Sequence, residues 1–112
     1  MFRGSFRSGG GGGGGGALTV TTITSADSPY DLPLSTQVLI VDTTTGVVNV
    51  NMPAASGSEG VIFYIKAKDN ASTNRVRILV SSGLIDDDTF ADINNDLAAV
   101  SLVSDGTNYF IL

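Results

Sequence analysis

Five aspartates crowd the segment LIDDDTFADINND: Asp86, Asp87, Asp88, Asp92 and Asp96. Carboxylates at that density suit two chemistries, chelation of a hard cation such as calcium and the paired acid and base of a glycosidase. Spacing argues against calcium. Counted from Asp86, the fifth position of an EF-hand-like loop is Phe90, and no glycine follows it. The glycosidase pair finds no further support, and the segment reads as a solvated acidic loop. With no His and no Cys in the chain, the usual Ser and Cys nucleophile arrangements lack either their base or their nucleophile, and the common ligands of structural zinc are missing. The sequence therefore predicts no enzyme: no catalytic residue, no metal site and no cofactor.

Two other groups of residues are equipped to bind rather than react. The first is the opening MFRGSFRS, where Phe2-Arg3 and Phe6-Arg7 repeat at a spacing of four. An apolar ring beside a planar cation, twice, is what a short docking peptide needs. Behind it runs an octaglycine, Gly9 to Gly16. It lacks the Gly-Lys-Ser/Thr ending of a phosphate loop and follows no strand, so it reads as a tether spanning roughly 15 Å, or about 25 Å drawn out. The second group is Lys66, Lys68, Arg75 and Arg77, every cation outside the leader. They blunt an exposed strand or form a secondary docking patch for an acidic protein surface or an anionic glycan.

The elements that must carry these residues are strands. Val48, Val50 and Met52 alternate with Asn49 and Asn51; Val61, Phe63, Ile65 and Ala67 alternate with Ile62, Tyr64, Lys66 and Lys68; Val76, Ile78 and Val80 alternate with Arg75 and Arg77. VIFYIKAK and RVRILV, joined by the turn-rich DNASTN, read as a hairpin that gathers all four cations. Pro29 and Pro33 in SADSPYDLPLST forbid a central strand and mark a loop or an edge. No stretch of helical period and useful length appears.

Composition agrees: 42% hydrophobic, 15% charged, rich in Thr, Ser, Val, Asn and Gly. Composition divides the chain into a docking peptide and polyglycine tether over 1–16 and one β-sandwich domain over 17–112. Net charge -5 makes nucleic acid a poor partner. No run approaches the roughly 18 apolar residues of a membrane span, and none follows Arg3 and Arg7 as a signal peptide requires. A domain this small, without disulfide or zinc, needs support from partner subunits. VIFYI, VLIV and NYFIL carry apolar residues on both faces, which fits a sandwich that also faces a neighbouring subunit.

The order of VVNVNMPAAS, Gly60, Ile65-Lys66, ASTNRVRI, GLID and SLVSDGTNYFIL resembles the small β-domains of tailed-phage head-fibre, capsid-decoration (cement) and tail-fibre proteins. The likeness covers about residues 47–112 and is most specific over Val100–Leu112, where Asp105-Gly106 supplies the positive-φ turn of a terminal hairpin. It departs at Asp87, where such domains often have Gly, and at Tyr109, where they often have Trp. The resemblance implies a homotrimeric, non-enzymatic component of the virion. The fold expected is all-β, a compact antiparallel β-sandwich or jelly-roll-like barrel with a flexible Gly-rich N-terminal arm. The function expected is capsid decoration or a short head fibre, with the major capsid protein or another virion protein as partner. The alternative is the receptor- or carbohydrate-binding tip of a tail fibre or tail spike, with a host-surface glycan as partner.

Overall fold

The computed structural model describes residues 17–112, and the docking peptide and tether expected over 1–16 lie outside the described residues. Nine strands follow in chain order: β1 (Val20–Thr24), β2 (Tyr30–Asp31), β3 (Val38–Asp42), β4 (Val48–Asn51), β5 (Ile62–Ala67), β6 (Val76–Leu79), β7 (Phe90–Ile93), β8 (Ala99–Ser104) and β9 (Tyr109–Ile111). They form a five-stranded sheet, β1-β3-β5-β8-β9, and a four-stranded sheet, β2-β4-β6-β7. The all-β expectation holds. The antiparallel one does not: β1, β3 and β5 run parallel, as do β2, β4 and β6, and antiparallel pairing begins only with β7, β8 and β9.

The parallel part has a simple path. From β1 to β6 the chain alternates between the two sheets, so successive strand pairs stack as the coils of a short two-sheeted solenoid. Inward side chains line up in columns across the coils: Ile23, Val41 and Ala67 in one sheet, Val48, Val76 and Ile93 in the other. These residues, with Leu39, Phe63, Ile65, Val50, Ile78, Leu102 and Tyr109, make one core between the sheets. Period-two patterning separated the two faces of β4, β5 and β6 correctly, because alternation fixes which side of a strand a residue takes whatever the strand's partner.

The expected hairpin of 61–68 and 75–80 is the main correction. β5 belongs to the larger sheet and β6 to the smaller, and the connector between them is an arch across the sandwich edge. Ala71 is its buried plug. The arches also stack. The Ser25 hydroxyl meets that of Thr45 at 2.5 Å, Asn70 donates to the Thr44 hydroxyl at 3.3 Å, and Asn74 donates to the Thr43 carbonyl at 2.9 Å. DNASTN is thus turn-rich because it turns a corner between layers, a use that its composition shares with a hairpin loop.

The acidic segment is also more ordered than a solvated loop. Ile85 is buried and bridges both Asp88 and Tyr109. Asp86 and Asp87 have φ of 46° and 67°, and the amide of Asp88 donates to the Ile85 carbonyl at 2.8 Å, a tight turn with two left-handed central residues. Asp86 and Asp87 are therefore positions where the backbone favours Gly. Residues 84–86 then lie along β9: Tyr109 donates to the Leu84 carbonyl, Asp86 donates to the Tyr109 carbonyl, and the Asp86 carboxylate accepts from the Ile111 amide at 3.1 Å. That seam covers the outer edge of the larger sheet, where an unpaired strand would template aggregation.

The terminal hairpin is as expected. β8 and β9 pair antiparallel around Asp105-Gly106, with Gly106 at φ 98°. The Asp105 carboxylate accepts from the amides of Thr107 and Asn108, both at 2.9 Å, and this lowers its pKa. The buried Ser104 hydroxyl accepts from the Gly106 amide and donates to the Ala55 carbonyl, tying the turn to the body. Tyr109 packs edge-on to Phe63 and donates to the Pro53 carbonyl at 2.9 Å, so the polar tip of the buried ring is satisfied.

Candidate functional site

The surfaces on which this fold can bind are the two outer faces of the sandwich and the grooves at the strand ends. On the four-stranded sheet the outward residues form two columns, Asn49-Arg77-Asp92 and Asp31-Asn51-Leu79-Phe90. Their polar members other than Asn49 are matched to each other. Arg77 reaches Asp92 with two hydrogen bonds, 2.8 and 2.9 Å, and its guanidinium lies 3.9 Å from the centre of the Phe90 ring. Asn51 donates to Asp31 at 2.9 Å. The Arg77 hydrogen bonds are the main reason the Asp92 carboxyl is held below the usual carboxylate range, and Arg77 is raised in return. Arg75 stands 3.7 Å from Asp92, close enough for charge attraction and too far for a hydrogen bond.

The outward residues of the five-stranded sheet differ in kind. Val20, Val38 and Tyr64 form one column with Ser101, Thr22, Ile40 and Lys66 a second with Ala99, and Ile62, Val103 and Phe110 a third. Val20 and Phe110 are exposed, and Val38, Ile40, Ile62, Tyr64 and Val103 are half-buried. At the end of this face lie Asp42, which accepts from the amide and hydroxyl of Thr44, and Lys66, which donates to the Leu97 carbonyl. The hydrogen bonds from Thr44 lower the Asp42 pKa.

The four cations of the expected secondary patch are therefore not gathered. Lys66 is an outward residue of the larger sheet and Lys68 follows it at the strand's end, whereas Arg77 and Arg75 belong to the smaller sheet, on the opposite side of the sandwich. Both arginines are engaged with Asp92. Sequence separation misled here because the two strands are neighbours in the chain and sit in different layers. The Arg77–Asp92 pair itself was missed for the complementary reason: β6 and β7 pair across a polar segment, and Phe90, Ala91, Asp92 and Ile93 show no apolar-polar alternation to mark a strand. Phe2, Arg3, Phe6 and Arg7 lie outside the described residues.

Two grooves open at the strand ends. One, of about 440 Å³, lies where β2, β4 and β6 end and is lined by Asp31, Asn51, Met52, Leu79, Val80 and Ser81 among others. The other, of about 370 Å³, lies where the larger sheet's parallel strands begin, lined by Leu18, Gln37, Gly60, Val61, Ile62 and Tyr64. Among the described residues no group of three or more His, Cys, Asp or Glu is placed to hold a metal ion, and no helix is long and apolar enough to cross a membrane. The acidic segment accordingly does not gather its carboxylates: Asp86 turns to Ile111, Asp92 to Arg77, and Asp96 accepts from the Ser72 amide at 2.9 Å. No family model matches this chain and no curated protein is significantly similar to it.

Proposed function

We propose that this chain is a non-enzymatic structural protein of a tailed-phage virion, a trimeric capsid decoration or short head fibre. The observation that carries the reading is the ending Val100–Leu112, the most specific part of the resemblance to such β-domains, together with the leader MFRGSFRS and its octaglycine. Phe2 and Phe6 supply apolar contact, and Arg3 and Arg7 pair with carboxylates or carbonyls of the major capsid protein or another virion protein. The octaglycine imposes little geometry, so three leaders reach sites whose spacing differs from that of the trimer, and three weak contacts act as one stronger attachment. Removing residues 1–8 is expected to leave the β-domain assembled while its copy number on purified particles falls to background. Full occupancy by the leaderless protein would overturn the reading of the leader.

A second reading, the glycan-binding tip of a tail fibre or tail spike, has one observation in its favour. The groove at the ends of β2, β4 and β6 sets the polar Asp31, Asn51 and Ser81 around the apolar Met52, Leu79 and Val80, the mixture that a sugar ring meets. Binding to a glycan array that is lost on Asn51→Ala would favour this reading over decoration.

A further inference from the structure

We infer that the outer face of the five-stranded sheet is the surface on which copies of this chain meet. The two outer faces of the sandwich are built to opposite rules. On the four-stranded sheet Arg77 pairs with Asp92 and lies over the exposed Phe90 ring, and Asn51 pairs with Asp31, so its charged groups and its one exposed ring are met within the chain. On the five-stranded sheet an apolar band crosses from edge to edge. It runs through Val20, Val38 and Tyr64, passes along β5 to Ile62, and continues through Val103 to Phe110, with Ile40 beside it. A continuous band of this kind, half-buried within one chain and ending in exposed Val20 and Phe110, is what a protein covers with a partner.

Charge selects the partner. The outward strand positions of this sheet hold two charged side chains, Asp42 and Lys66, of opposite sign and both at one end, where Lys68 just beyond β5 also acts on Asp42. Both are engaged within the chain, Asp42 by Thr44 and Lys66 by the Leu97 carbonyl. The rest of the band is uncharged, although the chain carries -5. None of its ten other acids stands at an outward strand position of this sheet: Asp31 and Asp92 lie on the opposite face, and Asp27, Glu59, Asp69, Asp86, Asp87, Asp88, Asp96 and Asp105 lie outside the strands of the larger sheet. A second copy can therefore bring the same band up without like-charge repulsion, whereas an acidic or basic partner finds nothing there to attract it.

The surface is assigned from the sheet alone, and only the number of copies rests on the proposed function. Because the chain has no cysteine, single cysteines report proximity cleanly. In the full-length protein, Ser101→Cys, in the middle of the face, should be joined between copies by a short bismaleimide, and Asn49→Cys, on the opposite face, should not. In sedimentation equilibrium Ile62→Glu should reduce the mass to that of one chain while Asn49→Glu leaves it unchanged, with circular dichroism showing both folded. A wild-type monomer at all concentrations, or equal cross-linking at both cysteines, overturns the inference. If Ile62→Glu fails to fold, the cysteine pair still decides. One thiol per chain lets the reagent join copies only in pairs, so the sedimentation mass gives the stoichiometry: a dimer by mass that cross-links at Ser101→Cys supports the face and sinks the trimer, and a trimer by mass that cross-links there but is absent from particles supports the face and sinks the virion role.

Discussion

Arg77 is held by three groups at once, two carboxylate oxygens of Asp92 and the face of Phe90, and this sets how the domain responds to acid. Asp92 is lowered chiefly by the Arg77 hydrogen bonds, so its charged form is favoured more in the folded chain than in the unfolded one. The stability it contributes is present above the unfolded value of about 3.9 and is lost as pH falls through the lower folded value. Asp42, Asp96 and Asp105 are lowered too, by hydrogen bonds to Thr44, Ser72 and the Thr107–Asn108 amides, and add in the same direction. Asp92→Asn is expected to lower the melting temperature by a few degrees at pH 7, with the gap to wild type closing as pH drops below about 4. A constant gap across that range would mean that the pair acts through packing rather than charge. These partnerships were illegible beforehand, since a list of five aspartates does not say which of them turn back onto the fold.

Between elements, the decisive joint is the one that seals β9. Gly83, at φ 80°, lies against the Thr107–Asn108 turn so closely that an added methyl would stand 2.3 Å from the Thr107 carbonyl oxygen. Leu84 next to it donates to the Asn108 side chain at 2.9 Å, so the joint cannot simply open. Gly57 has a similar φ of 94° with open space around it, which makes it the control. Both Gly→Ala changes carry the cost of a left-handed backbone, about 1–3 kcal/mol, and Gly83→Ala should cost clearly more because it also displaces the turn. Thermal melts of the two variants decide this: equal losses would show that the seam yields without penalty. At this scale the sequence was a good guide to strands and a poor guide to their partners. The terminal hairpin was legible because two strands joined by Asp-Gly have only each other within reach. The parallel pairs were not, because β1 to β3 and β3 to β5 are joined through a strand of the other sheet, and alternation along one strand carries no record of that detour.

For the molecule as a whole, stacked coils make stability a matter of position. Each coil rests on its neighbours, so an end coil has support on one side only. The far end is closed by β7, β8, β9 and the 84–86 seam, whereas the first coil ends in β1 and the two-residue β2 between Pro29 and Pro33. Hydrogen-bonded amides in the first coil should exchange faster than those of β5 and β8 in the monomeric Ile62→Glu variant. Uniform protection would contradict the coil-by-coil account. The direction of the strands has a mechanical consequence. β1 runs parallel to β5, β8 reverses and β9 reverses again, so β1 and β9 point the same way on opposite edges of one sheet. A pull between Ala17 and Leu112 therefore draws along the strands from opposite ends. It loads the five residue pairs of β1 and β3 together, in shear, rather than unzipping them one by one. A domain hung by its N-terminal side and tugged from its far end meets that force with its whole ladder.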